Sequence, residues 1–256
     1  MDHSLDDLLG DVAAGRLPPD EAARRLRSLG LSAVGDFALL DVARAARKGV
    51  PEVVYAEGKT VAQLTEIVQR LLSCGQVVLA SRVSDEQAQA LASSADGELD
   101  FDQRSRVAVV RRGGTPPLEV RGVVGVLAAG TSDIAVAGEA VAMCRAMNVD
   151  VISFFDVGVA GLHRLAGPLA AIREAGAGAL VVAAGMEGAL PSVVAGLVDV
   201  PVIGLPTSSG YGYGGRGEAA LLGMLQSCSP GLVVVNIDNG IGAGATAALI
   251  ARQAAR

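Results

Sequence analysis

Apolar runs of strand length alternate with helix-length segments throughout the second half of the chain. The apolar runs span residues 123–128, 149–155, 179–184, 200–205 and 232–237. The helical segments lie at about 133–147, 161–175, 189–198, 216–227 and 242–254. Unbroken apolar runs are typical of parallel strands that are buried on both faces, and five βα units predict a sheet with helices on both sides. We therefore expect an α/β fold in this half, a doubly wound three-layer sandwich with a parallel sheet.

The first half is more charged, and its pattern is less regular. Helical patterns cover residues 5–14, 18–30, 60–74 and 85–94, strand patterns cover 51–55, 77–80 and 106–111, and the segment 37–42 fits either. Residues 111–117 combine charge, Gly-Gly and Pro-Pro, which is typical of a linker. We therefore predict a smaller α+β domain at 1–118 and the sandwich domain at 119–256.

Composition and charge narrow the class of protein. Apolar residues make up 51% of the chain, but aromatic residues only 3%, so alanine, valine, leucine and glycine must form the core. The net charge of −6 and the lack of a long basic block argue against nucleic acid or an anionic membrane as a partner. The N-terminus has no apolar signal-peptide core, and no apolar run reaches the roughly 18 residues of a membrane span. We expect a cytoplasmic protein.

The three cysteines differ in their surroundings. They are too few and too scattered for a disulfide framework or a zinc motif, so no metal site is predicted. Cys144 lies in an apolar helical pattern and is predicted to be core, and Cys74 ends a helix before Gly75, where a structural role is expected. Cys228 lies between two serines, directly before a Pro-Gly turn. Its residue type alone leaves a structural and a chemical role open.

In doubly wound sheets, ligands bind at the carboxyl ends of the strands, so the residues after each apolar run are candidates for a site. Thr131, Ser132 and Asp133 follow the first run. Ser132 and Asp133 are residue types that cap helix N-termini. Alternatively, the helix N-terminus receives a phosphate while the Asp133 carboxylate accepts hydrogen bonds from ribose hydroxyls.

The second run is followed by Asp156 and, a few residues on, by His163 and Arg164. A His-Arg pair at a helix start does not match the helix dipole, which disfavours cations at that end. The mismatch indicates an anionic ligand or a proton-transfer role for His163, and the alternative is a solvated pair.

Glycines and polar residues follow the other three runs. The candidates are Gly185, Met186, Glu187 and Gly188 after the third run, Ser208, Gly210 and Tyr211 after the fourth, and Asn236 and Asp238 after the fifth. The glycines allow the backbone to approach a ligand closely, and Glu187 could instead satisfy a helix dipole. Tyr211 could pack on a flat ring or cover a subunit contact. Asn236 and Asp238 could bind a ligand or cap the final helix.

Several motifs resemble the class I aminoimidazole ribonucleotide carboxylase/mutase family of purine synthesis. They are TSD (131–133), DVGVAGLHR (156–164), AGMEGALP (184–191) and VPVIGLP (200–206). The chain more closely resembles the LarB family, the pyridinium-3,5-biscarboxylic acid mononucleotide synthases of nickel-pincer nucleotide assembly. That likeness rests on DVAR (41–44), GVPEVVY (49–55), GKT (58–60), LQSCSPG (225–231) and VVNIDNG (234–240). It covers nearly the whole chain, whereas the purine enzymes lack the first half.

The resemblance implies a reaction in which nicotinic acid adenine dinucleotide is carboxylated by CO₂ or bicarbonate and then hydrolysed to AMP and the biscarboxylated mononucleotide. It implies that Cys228 is the nucleophile, because the LarB family places it in this loop and the purine enzymes have no cysteine there. We expect Ser132 and Asp133 to hold ribose or phosphate, His163 and Arg164 to bind a carboxylate or assist proton removal, and Met186 and Glu187 to line the ring pocket.

The resemblance also bears on assembly and cofactors. The purine enzymes imply a homo-octamer. No firm cofactor is predicted, although Mg²⁺ at the phosphoanhydride is possible. Two alternatives stay open: a carboxylase or mutase acting on an aminoimidazole ribonucleotide, which needs no thiol, and a nucleotide-binding protein without catalysis.

Overall fold

The computed structural model describes residues 5–22, 30–75, 77–94, 97–114 and 119–255. In the first half the elements are α1 (Leu5–Ala13), β1 (Leu31–Val34), β2 (Ala38–Asp41), α2 (Arg44–Lys48), β3 (Val53–Tyr55), α3 (Val61–Cys74), β4 (Val77–Ser81), α4 (Asp85–Ser94), β5 (Glu98–Asp102) and β6 (Val107–Arg111). In the second half they are β7 (Val123–Ala128), α5 (Ile134–Ala146), β8 (Asp150–Phe154), α6 (Ala166–Glu174), β9 (Ala179–Ala184), α7 (Ala189–Ala195), β10 (Val202–Pro206), α8 (Glu218–Leu225), β11 (Leu232–Val234) and α9 (Gly240–Ala254), with 3-10 helices at Thr131–Asp133 and Val159–Leu165.

The second half folds around a parallel sheet with the strand order β11–β10–β9–β7–β8. Every residue of the central strand β9 is buried, because the sheet is covered on both faces. Val181 and Ala183 pack towards α5 and α9, whereas Leu180 and Val182 pack towards α6, α7 and α8. This arrangement confirms the predicted three-layer sandwich.

The first half contributes a mixed sheet with the order β3–β4–β6–β5. β3 and β4 are parallel and are joined through α3, whereas β5 and β6 pair antiparallel to their neighbours. Thr60 caps α3 in a reciprocal capping box with Gln63, which confirms the predicted start of that helix. The two-stranded β1–β2 hairpin and the mixed sheet confirm an α+β region before the sandwich.

Helices α5 and α9 lie between the two sheets and are packed on both sides. Leu79, Val107 and Val109 of the mixed sheet share one buried cluster with α5, α9 and the parallel sheet. The opposite face of the mixed sheet packs on α3 and α4. The core therefore runs continuously from one half of the chain into the other.

Most element boundaries are close to the predicted ones, and the differences have local causes. The predicted strand 232–237 ends at Val234, because the chain turns at its polar end. The predicted helix 161–175 becomes a 3-10 segment followed by α6, since Gly161 interrupts the helix with φ −146° and ψ 69°. β5 was not predicted, because its charged residues alternate with half-buried apolar ones.

Two predictions fall partly outside the described residues. Of the helix predicted at 18–30, residues 19–22 are helical, and residues 23–29 lie outside the described part of the chain. The linker and the domain boundary after residue 118 include residues 115–118, which also lie outside it, so the boundary stays a prediction. Within the described ranges, none of the helices combines the length and the apolar character needed to cross a bilayer.

Small residues allow α5 and α9 to pack closely. A side chain at Gly244 would place its Cβ 2.5 Å from the carbonyl oxygen of Ala140, which is far inside van der Waals contact. Cys144 is buried in the same interface, and its Sγ lies 3.3 Å from the Gly244 carbonyl oxygen, to which it donates. Burial raises the pKa of the Cys144 thiol to about 12, so it stays protonated and acts as a core residue, as predicted.

An ion pair crosses from the mixed sheet to the sandwich beside these helices. Arg82 Nε lies 2.9 Å from Oε1 of Glu139, whose side chain is only 5% exposed. Burial raises the pKa of Glu139 to about 7, although Arg82 and the backbone N–H groups of Gly240 and Ile241 favour the charged form. The carboxyl group therefore gains its proton far above the pH at which an exposed glutamate does.

We predict that Glu139 makes the protein less stable as the pH rises from about 4.5 to about 7. The folded state binds the proton more tightly than the unfolded state, so this contribution is present below the unfolded pKa and is lost as the pH rises through the folded one. The effect amounts to at most about 3 kcal/mol. Urea unfolding at about pH 5 and about pH 8 measures it, and Glu139→Gln should flatten the difference. The exposed Glu66→Gln serves as the control, and an equal flattening in both variants would contradict the assignment.

Candidate active site

The carboxyl ends of β7, β9 and β10 open into a cleft of about 320 Å³. Of the predicted site residues, the cleft is lined by Ser132, Asp133, Arg164, Gly185, Met186, Glu187 and Tyr211. Residues from four separate loops thus meet at one edge of the sheet, as the strand-end rule predicted.

Asp133 is the centre of the hydrogen-bond network beneath the cleft. Its carboxylate is buried, with Oδ2 accepting from the Gly130 backbone N–H at 2.8 Å. Oδ1 accepts from the hydroxyl groups of Thr207 at 2.5 Å and Ser209 at 2.6 Å. The two hydroxyl oxygens also lie 2.9 Å apart, and each has lone pairs with which it can accept a hydrogen bond.

Glycines bring the loops after β9 and β10 into contact, whereas their predicted close approach to a ligand stays a prediction. A Cβ atom at Gly185 would lie 2.5 Å from Ser209 Oγ, and one at Gly210 would lie 2.8 Å from the backbone nitrogen of Met186. Larger residues at either position would separate the β9 and β10 loops. Gly210 therefore has a packing role beside the cleft.

Three strand ends carry a strained residue. Asp156 (φ 60°), Met186 (φ 50°) and Asp238 (φ 55°) adopt the left-handed conformation that favours glycine. Such conformations cost roughly 1 kcal/mol or more each and cluster at functional sites. The strained residues therefore support the interpretation of these strand ends as the functional site.

Arg164 is held at the mouth of the cleft by Asp156. Arg164 Nη1 donates to the Asp156 carbonyl oxygen at 2.6 Å and lies 3.1 Å from its carboxylate Oδ2. His163 is exposed and does not line the cleft. The predicted pair is therefore split, with Arg164 as the cation that faces the cleft.

The remaining predicted residues lie next to the cleft rather than in its lining. The Asp238 carboxylate accepts from the Ser208 backbone N–H at 2.8 Å, and Asn236 accepts from the N–H of Ile237 at 2.9 Å. Thr131 begins its 3-10 helix exposed, and Gly188 adopts φ 65° at the start of α7. The side chain that caps α9 is Asn239, which accepts from the Gly242 N–H.

Cys228 lies at the opposite edge of the sheet from the cleft. It is exposed, in the loop between α8 and β11 that precedes the strand. The neighbouring Ser229 Oγ donates to the carbonyl oxygen of Ser192 in α7 at 2.8 Å, which fixes the loop at that edge. α8 is eight residues and so about 12 Å long, and it leads the chain from the carboxyl edge back to this loop.

Sequence reasoning missed Thr207 and Ser209. The run Thr207-Ser208-Ser209 contains three similar hydroxyls, and the sequence analysis predicts only Ser208 as a site residue. The alternation of side chains along extended backbone was the one available signal, because it places Thr207 and Ser209 on the same side. No group of three His, Cys, Asp or Glu side chains among the described residues is arranged to hold a metal ion.

Comparisons with known proteins agree with this architecture. Residues 123–256 match the AIR carboxylase family, so the chain belongs to that family. Residues 32–112 match the LarB/PurE-like N-terminal domain, and the two domains together form the LarB architecture predicted from the motifs. An uncharacterized protein of Methanocaldococcus jannaschii is 38% identical in an alignment of 256 positions that covers 98% of each chain. The two domains indicate a carboxylase-type enzyme.

We predict that Asp133→Asn lowers the free energy of unfolding by about 1–3 kcal/mol. An amide can accept the two hydroxyl bonds through its oxygen, but its NH₂ group then faces the Gly130 N–H and leaves that donor unpaired. Urea unfolding measures the change, with the exposed Asp199→Asn as the control. Equal stabilities of the two variants would show that the buried network contributes nothing.

Proposed function

We propose that the protein carboxylates the pyridinium ring of nicotinic acid adenine dinucleotide with CO₂, drawn from bicarbonate, and then hydrolyses its phosphoanhydride. The products are AMP and pyridinium-3,5-biscarboxylic acid mononucleotide, the first intermediate of the nickel-pincer nucleotide cofactor. The observation that carries the proposal is the pairing of a LarB/PurE-like N-terminal domain with an AIR carboxylase domain in one chain.

The chemistry of the ring explains the need for a thiol. The meta carbon of a pyridinium is electron-poor and cannot attack CO₂. When the Cys228 thiolate adds to the para carbon, the ring becomes a dihydropyridine whose meta carbon is the β-carbon of an enamine. This carbon bonds to CO₂ and loses its proton, and the ring then expels the thiolate and regains aromaticity. Sulfur is suited to both adding and leaving.

The cleft residues fit the pyridine nucleotide end of this substrate. Ser209 presents a hydroxyl oxygen that can accept from a ribose hydroxyl, since its own proton is directed to Asp133. Arg164 offers a cation to the ring carboxylate at the mouth of the cleft. Met186 and Tyr211 provide apolar and aromatic surface for the ring. The role of His163 in proton removal stays a prediction, because its exposed side chain does not line the cleft. Mg²⁺ bound by the substrate phosphates stays a prediction.

The position of Cys228 has a consequence for assembly. Its loop and the cleft lie at opposite edges of the sheet, so the thiol reaches a cleft only when another copy of the chain presents it. Leu222, Leu225 and Val233 surround this loop and are 65%, 62% and 52% exposed. Such an apolar surface next to a reactive thiol supports a contact between copies, in keeping with the predicted homo-octamer.

Carboxylation of an aminoimidazole ribonucleotide is the second candidate, because the AIR carboxylase family match alone is compatible with it. That reaction needs no thiol at position 228. It also leaves the LarB/PurE-like N-terminal domain without a role.

We predict that the purified protein, given nicotinic acid adenine dinucleotide and bicarbonate, releases AMP. It also forms a mononucleotide that is heavier than nicotinic acid mononucleotide by one carboxyl group. Mass spectrometry follows both products. Cys228→Ser should abolish them, because an alkoxide forms poorly and leaves slowly, whereas the exposed Cys74→Ser should keep full activity. If Cys228→Ser retains turnover on this substrate, the covalent mechanism is excluded, and turnover of an aminoimidazole ribonucleotide would favour the second candidate.

We predict that two inactive variants regain activity when they are unfolded, mixed and refolded together. Arg164→Glu damages the cleft and leaves the thiol, whereas Cys228→Ser removes the thiol and leaves the cleft. In randomly mixed oligomers about a quarter of the sites combine an intact cleft with an intact thiol from another copy. Refolding each variant alone provides the control. If the co-refolded mixture is as inactive as each variant refolded alone, the thiol and the cleft of one active site belong to the same chain.

A further inference from the structure

The cleft has room for only part of the proposed substrate. Its volume of about 320 Å³ lies at the lower limit of the roughly 300–1,000 Å³ range of ligand pockets. A dinucleotide carries two flat heterocycles, two riboses and a diphosphate. If the pyridine nucleotide half lies in the cleft, as the proposed function requires, the adenosine half lies on a neighbouring surface.

The carboxyl ends of β3 and β4 adjoin this edge of the parallel sheet. They belong to a second parallel pair, joined through α3, and Tyr55 at the end of β3 is in register with Ser81 at the end of β4. Arg82, the next residue, contacts Asp238 beyond the end of β11. The strand ends of both halves of the chain therefore face the same side of the molecule.

Arg82 is held in place from the sandwich. Its Nε pairs with the buried Glu139, and its Nη2 donates to the Asp238 carbonyl oxygen at 3.3 Å. Arg82 also has φ 58°, the same strained conformation as Met186 and Asp238. The side chain is nevertheless 31% exposed, so part of the guanidinium faces solvent. The Asp238 carboxylate also accepts from the Ser208 backbone N–H, and the next residue, Ser209, lines the cleft. Arg82 is therefore connected to the cleft wall through Asp238.

Tyr55, the last residue of β3, presents an exposed side chain close to Arg82 and precedes a tightly held loop. The residue is 53% exposed, in a chain with only three tyrosines and no tryptophan. Its hydroxyl bonds to the Glu57 carboxylate, and Lys59 Nζ donates to its carbonyl oxygen at 2.7 Å. Gln87 fixes the loop from below, since its Nε2 donates to the carbonyl oxygens of Ala56 and Lys59 at 3.2 and 2.9 Å. A ring fixed in this way loses little conformational entropy when a ligand packs on it.

We propose that Tyr55 and Arg82 bind the adenosine phosphate half of the dinucleotide, with the adenine stacked on the Tyr55 ring and the diphosphate next to the Arg82 guanidinium. This inference rests on the proposed function. The mixed sheet of the first half then supplies the subsite for the AMP that leaves, while the sandwich binds the pyridine nucleotide that is carboxylated. Arg82 and Tyr55 are binding residues and take no part in the ring chemistry.

The test compares a dinucleotide, AMP and nicotinic acid mononucleotide on the full-length protein. Tyr55→Leu should weaken AMP binding and raise KM for nicotinic acid adenine dinucleotide about tenfold, in line with base stacking on an aromatic ring, with kcat unchanged. Tyr55→Phe keeps the ring and should restore both values. The affinity for nicotinic acid mononucleotide, measured by calorimetry, should stay the same in both variants.

Arg82 needs a paired variant, because Arg82→Gln alone leaves a buried carboxylate without its cation. The double variant Arg82→Gln, Glu139→Gln removes both charges and should weaken ADP binding more than adenosine binding. Arg173 is an exposed arginine in the last turn of α6, and Arg173→Gln is the matched control. It should change neither the affinity for ADP nor the affinity for adenosine.

Three outcomes with Tyr55→Leu overturn the inference. The first is unchanged AMP affinity, and the second is an affinity for nicotinic acid mononucleotide that falls as much as that for AMP. The third is an altered oligomer size on gel filtration, which would assign Tyr55 to a contact between copies. The proposed function fails separately. A wild-type protein that releases no AMP from the dinucleotide contradicts that function, whereas unaltered kinetics of Tyr55→Leu in an active enzyme contradict only the adenosine subsite.

Discussion

The close packing of α5 and α9 between two sheets is the constraint on which the rest of the structure depends. A helix that is covered on both sides must be apolar nearly all round, and it must have small residues where another backbone passes. Gly244 against Ala140 meets that demand, and alanines fill most of the remaining interface. This explains a chain with half of its residues apolar and very few aromatics: bulky rings would force the two helices apart and separate the halves.

Because α5 and α9 connect the two sheets, the carboxyl ends of both sheets reach one side of the molecule. Glu139 extends from α5 to the start of α9 and to Arg82 in the first half, so one buried carboxyl group ties three elements together. Next to it, strained residues follow the ends of β4, β8, β9 and β11. Strain of this kind is maintained where the surrounding packing is rigid, and here the double-sided packing of the two helices provides that rigidity.

The positions of the Cys228 thiol and the cleft follow from the direction of the parallel strands. Loops after the strands converge at one edge and form the cleft around Asp133, whereas loops before the strands, including that of Cys228, lie at the other edge. A reaction that needs both groups therefore involves more than one chain. Under the proposed function, the exposed apolar residues beside Cys228 form the surface for that contact.

The sequence by itself determined the five βα units, the parallel sheet and the strand ends at which Asp133, Arg164 and Gly185 meet, because periodicity and strand order are local properties that decide which edge a loop occupies. It also carried the motifs of the LarB architecture. Only the tertiary structure decided that Ser209 rather than Ser208 lines the cleft, that His163 does not line it, and that Arg82 reaches Glu139 from a distant strand. These choices depend on turn conformations with positive φ and on packing between residues far apart in the chain, which no local pattern encodes.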